Sequence, residues 1–73
     1  MRENKTYLLH IIEAIEKVEK YIGSIDFDGF CKNDMMIDAV IRELEIIGEA
    51  ARNLSDSFQD KYFEIPWYKI KAM

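Results

Sequence analysis

NDMMIDAVIRELEIIGEAARN, residues Asn33 to Asn53, is the longest uninterrupted helical pattern in this 73-residue sequence, and its reading decides the fold. At about 100° per residue, Ile37, Val40, Ile41, Leu44, Ile47, Gly48, Ala51 and Leu54 fall on one broad stripe, the spacing of a helix that buries one side. Ala39, Ile46 and Ala50 form a flanking surface, with Glu43 among them. The apolar arc is therefore wider than one neighbouring helix needs, and a second neighbour is expected on the flank. Asp38, Arg42, Glu45, Glu49 and Arg52 make up the remaining strip. Their three- and four-residue spacings let opposite charges face each other in water.

Upstream of this helix, Leu8, Ile11, Ile12, Ile15, Val18 and Ile22 recur at helical spacing, with Glu13/Lys17 and Glu16/Lys20 paired four apart. The pattern predicts a helix from Lys5 to Ile22, capped by Asn4 or Thr6 and closed by Gly23 just past its end. Between the two helices, SIDFDGFCK (Ser24 to Lys32) predicts one helical turn capped by Asp26, with Phe27 and Phe30 turned to the core. Asn33 caps the long helix, and Asp34 complements its positive end. Two helices of this length joined by so short a link make an antiparallel αα-hairpin.

Downstream, SDSFQDKYFE (Ser55 to Glu64) opens on capping residues and predicts one or two loose turns. Pro66 then sits where the first turn of a helix tolerates proline, and Trp67, Ile70 and Met73 recur every third residue behind it. With no closing Gly, Asn or polar segment after them, the pattern reads as ending inside an element. The expected fold is all-α: an up-and-down bundle of one hairpin plus the start of a further helix, in a single incomplete domain over residues 1–73.

Composition narrows the function. Apolar residues make up 49% and charged residues 33%, a globular balance, and a net charge of −4 argues against a nonspecific grip on phosphate backbones. The lone Cys31 has no partner for an internal disulfide. No apolar run nears the roughly 20 residues of a membrane span, and MRENKTYLLH lacks the apolar region of a signal peptide. A cytoplasmic protein without a membrane partner is expected. So small a domain leaves stability marginal, which favours assembly.

The candidate chemical groups are few. Asp38, Glu45 and Glu49 share a face, but no histidine lies near them as di-metal bundles require, so they read as a solvated strip and no metal or other cofactor is expected. His10 lies away from the main stripe of the first helix with no nucleophile beside it, and reads as a partly exposed residue. Cys31 reads as a small buried hydrophobe. Glu19, close to the apolar stripe, reads as a rim residue whose carboxylate reaches solvent. No Gly-rich phosphate loop, zinc spacing or basic patch occurs.

The stretch DAVIRELEIIGEAARNLS from Asp38 to Ser55, followed by IPWYKIKAM from Ile65 to Met73, resembles the HepT-like group of HEPN proteins, the toxin half of bacterial and archaeal toxin–antitoxin pairs. HIIEAIEKVEKYI (His10 to Ile22) is similar to that family's first helix. The resemblance implies a dimerising helical bundle and a metal-independent endoribonuclease whose site forms where two protomers meet. It also implies a minimal nucleotidyltransferase antitoxin as partner, and RNA as the substrate of an intact member. The family's catalytic signature, an Arg followed by a His a few residues later and a nearby Tyr, would come directly after IKAM. Within residues 1–73 no residue matches it: His10, Arg42, Arg52 and Tyr68 all precede that place. No catalytic residue is therefore assigned, and the chain alone is expected to be inactive. The alternative from another class is a helical interaction module that is not an enzyme. In either case a homodimer or higher assembly is expected, through Ala39, Ile46, Ala50 and Trp67.

Overall fold

The computed structural model describes residues 4–73. Five helices follow in order: α1 (Asn4–Ile22), α2 (Phe27–Cys31), α3 (Asp34–Arg52), α4 (Asp56–Lys61) and α5 (Trp67–Lys71). The all-α expectation holds. The two long helices, α1 and α3, have 19 residues each, about 28 Å at 1.5 Å per residue. They run antiparallel: Tyr7 and His10 lie beside Ala50 and Asn53, while Tyr21 lies beside Met35, Met36 and Ala39.

Short side chains set how closely the hairpin closes. Ala14 of α1 and Ala50 and Ala51 of α3 are buried, together with Ile47 and Leu54, and among the described residues no large side chain is completely enclosed. Such small residues let two helices approach closely but exclude little apolar area per contact. The core is thin, and the molecule measures 41 × 21 × 17 Å. The short helices α2 and α5 lie against α3 beside the hairpin.

The polar ends form as their sequences predict. Asp26 accepts from the Gly29 amide (2.8 Å), Asn33 from the Met36 amide (3.0 Å) and Ser55 from the Phe58 amide (3.2 Å), each opening its helix. Gly23 takes a φ of +43°, and its amide reaches the Glu19 carbonyl at 2.9 Å, the left-handed exit that glycine makes without strain. Asn4 behaves differently from the cap expected of it. Its Nδ2 donates to Ser55 Oγ (3.1 Å) and its Oδ1 accepts from the Ser55 amide (2.9 Å), so it ties the start of α1 to the α3–α4 link.

Phe27 and Cys31 depart from expectation. Phe27 is 78% exposed and Cys31 is exposed, whereas Phe30 is half-buried. The helix holding them is five residues long and lies against α3, so a single turn brings only part of its circumference under cover.

Candidate functional site

Three surfaces bring candidate residues together. The first is a shallow recess of about 350 Å³ between α1 and α3, lined by Tyr7, His10, Ile46, Glu49, Ala50 and Asn53. His10 meets the ring of Tyr7 edge-on at 6.2 Å between centroids and is otherwise exposed. Asn53 donates to the Glu49 carbonyl at 2.9 Å, one turn earlier, which closes the end of α3. The recess thus holds one imidazole, one carboxylate and one amide, with no cation to neutralise a phosphate.

The second surface is the polar strip of α3. Asp38, Arg42, Glu45, Glu49 and Arg52 are all exposed, as their spacing requires. Arg52 has a structural task that spacing does not reveal: its guanidinium donates to the Lys71 carbonyl and ties α3 to α5. Among the described residues no group of three or more His, Cys, Asp or Glu is placed to hold a metal ion.

The third surface is an apolar groove of about 450 Å³ where α1, α3 and α5 meet, walled by residues including Leu8, Ile15, Leu44, Ile65, Trp67 and Met73. Glu19 stands on its rim with its side chain exposed, as expected. Trp67 is fixed there by a hydrogen bond from Nε1 to the Tyr62 carbonyl (3.1 Å) and by the ring of Phe58, 6.1 Å away and inclined at 63°.

The residues expected at an interface line different recesses. Ile46 belongs to the His10 recess, Ala39 to a recess beside Tyr21 and Met36, and Trp67 to the groove. Ala50 is 3% exposed, so the hairpin itself already covers this methyl. Glu43, placed by its spacing on the same flank, is 5% exposed and is the one buried charged residue among those described. None of its oxygens is both fully enclosed and unpartnered, so the carboxylate is not sealed off without a partner while its stem packs.

Conversely, part of the main stripe is open. Ile41 of α3 is 47% exposed, and Ile12 and Ile15 of α1 are 49% and 45% exposed. Ile15 lines the apolar groove, whereas Ile12 and Ile41 are exposed outside its walls. Periodicity reveals an arc's width and not which half a neighbour takes, so this division was not legible in the sequence.

Comparison with known proteins gives this architecture a family. A family model described as "Ribonuclease HepT-like" matches residues 11–73, which include both motifs that carry the resemblance. A candidate ribonuclease HepT of Thermococcus cleftensis is 43% identical over 99% of this chain and 66% of its own length. A candidate RNase of Caldanaerobacter subterraneus subsp. tengcongensis is 37% identical over 100% of the chain and 65% of its own length. In Methanocaldococcus jannaschii, a protein named both as a gamma-glutamylcyclotransferase and as a candidate RNase is 44% identical over 99% of the chain, but only 32% of that protein is covered. The chain therefore spans about two thirds of the length of the first two relatives and a third of the last. No solved structure matches. No helix among the described residues is long and apolar enough to cross a membrane. On the family match and these identities, the chain belongs to the HepT-like ribonuclease family of the HEPN superfamily.

Proposed function

We propose that this chain is the helical scaffold of a metal-independent endoribonuclease of the toxin–antitoxin kind, and that residues 1–73 do not cleave RNA by themselves. One observation carries the second half of this reading: the only histidine sits in a recess without a cation, while Arg52 is held against α5. Cutting an RNA strand without a metal requires a group that moves the 2′-hydroxyl or leaving-group proton and a cation that stabilises charge on the phosphorus oxygens, both at one phosphate. His10, Arg42 and Arg52 do not meet that requirement together. The family's Arg…His pair would come from the length of its members that this chain does not span. Incubated with a mixed-sequence RNA beside the intact Thermococcus relative, the 73-residue chain is expected to leave the RNA uncut while the relative degrades it. Cleavage by the chain, lost in His10→Ala, is the opposite outcome.

In the same reading the protein pairs with a second copy through the flank of α3 and is controlled by a minimal nucleotidyltransferase antitoxin. Ala39 and Ile46 are the half-exposed apolar residues on that flank. Ile46→Arg would place a charge where association removes water, so a dimer should become a monomer by light scattering with its helix content kept. An unchanged mass would move the contact elsewhere. Co-elution with such a nucleotidyltransferase on a sizing column tests the partner.

A further inference from the structure

We infer that the end of α4, the link after it and α5 form a surface that holds single-stranded RNA, built on two lysine–tyrosine pairs, Lys61 with Tyr62 and Lys69 with Tyr68, and on Arg52 of α3. The choice of RNA rests on the ribonuclease reading, but the inference concerns how a strand is held and not how it is cut.

Charge is unevenly spread along the sequence. Residues 61–73 hold three lysines against one glutamate in a chain whose net charge is −4, so the acidic surplus lies in the residues before them. A chain acidic as a whole has no general hold on phosphate, but a local basic surface keeps one. The fold strengthens that surface beyond what spacing along the sequence shows. The Arg52 guanidinium reaches from α3 to donate to the Lys71 carbonyl, which sets a further cation beside α5. Asp60 and Glu64 flank the Lys61 pair, so α5 is the more basic half.

Rings stand open among these cations. Phe63 and Tyr68 are 75% and 72% exposed. The Lys69 ammonium lies 5.9 Å from the centre of the Tyr68 ring, and the Lys61 ammonium 5.6 Å from that of Tyr62. The two pairs are tied together, because the Trp67 indole donates to the Tyr62 carbonyl at 3.1 Å and Phe58 packs on the rings of both Tyr62 and Trp67. An unpaired base can stack on an open ring while an ammonium beside that ring meets the neighbouring phosphate. In a duplex the base faces are already covered, so the arrangement favours a single strand. A membrane surface fits less well: it calls for an apolar helix face beside the lysines, and Trp67 and Ile70, the apolar residues of α5, line the groove instead.

The experiment titrates a labelled, mixed-sequence 2′-O-methyl RNA of about 12 nucleotides, a length such surfaces cover, with the 73-residue chain at low salt and follows fluorescence anisotropy. The 2′-O-methyl groups block cutting through the 2′-hydroxyl, so holding is read separately from cleavage, and failure here leaves the proposed inactivity of the chain standing. Saturable binding that weakens as salt rises is expected, with affinity lower by about fivefold or more for Tyr68→Ala and for Lys69→Glu. Lys17→Glu makes the same charge change on α1 and should leave the affinity unchanged. All three side chains are exposed, so helical circular dichroism should match the parent in each variant. Absence of binding would overturn the inference. So would equal losses in Lys17→Glu and Lys69→Glu, a duplex of the same sequence bound as tightly as the single strand, or binding to phosphatidylserine vesicles with none to the RNA.

Discussion

Replacing Gly48 by valine should detach α5 from α3. A β-carbon at this position would lie 2.8 Å from the carbonyl carbon of Met73 and 3.3 Å from the Ile70 carbonyl oxygen. The guanidinium of Arg52, at 3.2 Å, can swing away, but the two backbone atoms cannot. Glycine in a helix interior costs about 1 kcal/mol relative to alanine, so any side chain would favour α3 taken alone. Overpacking opposes this with about 1–3 kcal/mol, and valine adds two methyl groups to the clash. The close approach therefore decides the sign, and α5 rather than α3 gives way because it is only five residues long. The expected result is a red shift of Trp67 emission, loss of near-ultraviolet dichroism and rapid amide exchange at Ile70 and Met73, with the α1–α3 helix signal retained. Gly48→Ala should move the same way by less. A variant with native Trp67 emission would show that α5 does not rest on this glycine.

The second large effect is expected at Ala51, which has 0% exposure. Ala51→Asp puts a carboxylate at a fully covered position, one turn from the buried Ile47 and Leu54. Burial of an unpaired charge costs several kcal/mol, and a domain of this size has on the order of 5 kcal/mol of total stability. The helical signal at 25 °C should fall to that of an unfolded chain. Ala51→Ser provides the contrast: its hydroxyl can bond the carbonyl four residues back, so a folded protein weakened by about 1–2 kcal/mol is expected in urea unfolding. Cooperative unfolding of the aspartate variant near the parent's midpoint would mean that the hairpin does not close through the alanine seam.

These two positions mark what could and could not be seen in the sequence. Helix number, order and ends were legible because they rest on local chemistry: Asp26, Asn33 and Ser55 bond amides three residues on, and Gly23 turns left-handed where the first helix stops. Gly48 was legible only as a member of a stripe. That its missing β-carbon is needed follows from where α5 docks, a contact far along the chain. Arg52 read as one charge of a solvated strip for the same reason, since its partner is a backbone carbonyl of α5 and not a carboxylate at helical spacing. The burial of Glu43 and exposure of Ile41 follow from the rotation of α3 about its axis, which the small residues Ala14, Ala50 and Ala51 set by letting the helices meet along one edge. The site remained least legible: His10 could be seen to lack a partner, but its place beside Glu49 and Asn53 emerges only from the antiparallel register.

On the proposed reading the chain is a scaffold, with a thin seam, an open apolar groove and, among the described residues, His10 in a recess that no cation lines. The most direct measurement incubates a labelled RNA with three samples: the 73-residue chain, the segment of the Caldanaerobacter relative that lies outside the match, and the two mixed. The expected result is intact RNA with either component alone and cleavage by the mixture. Cleavage by the chain alone, abolished in His10→Ala, would contradict the account, because the catalytic group would then lie within residues 1–73.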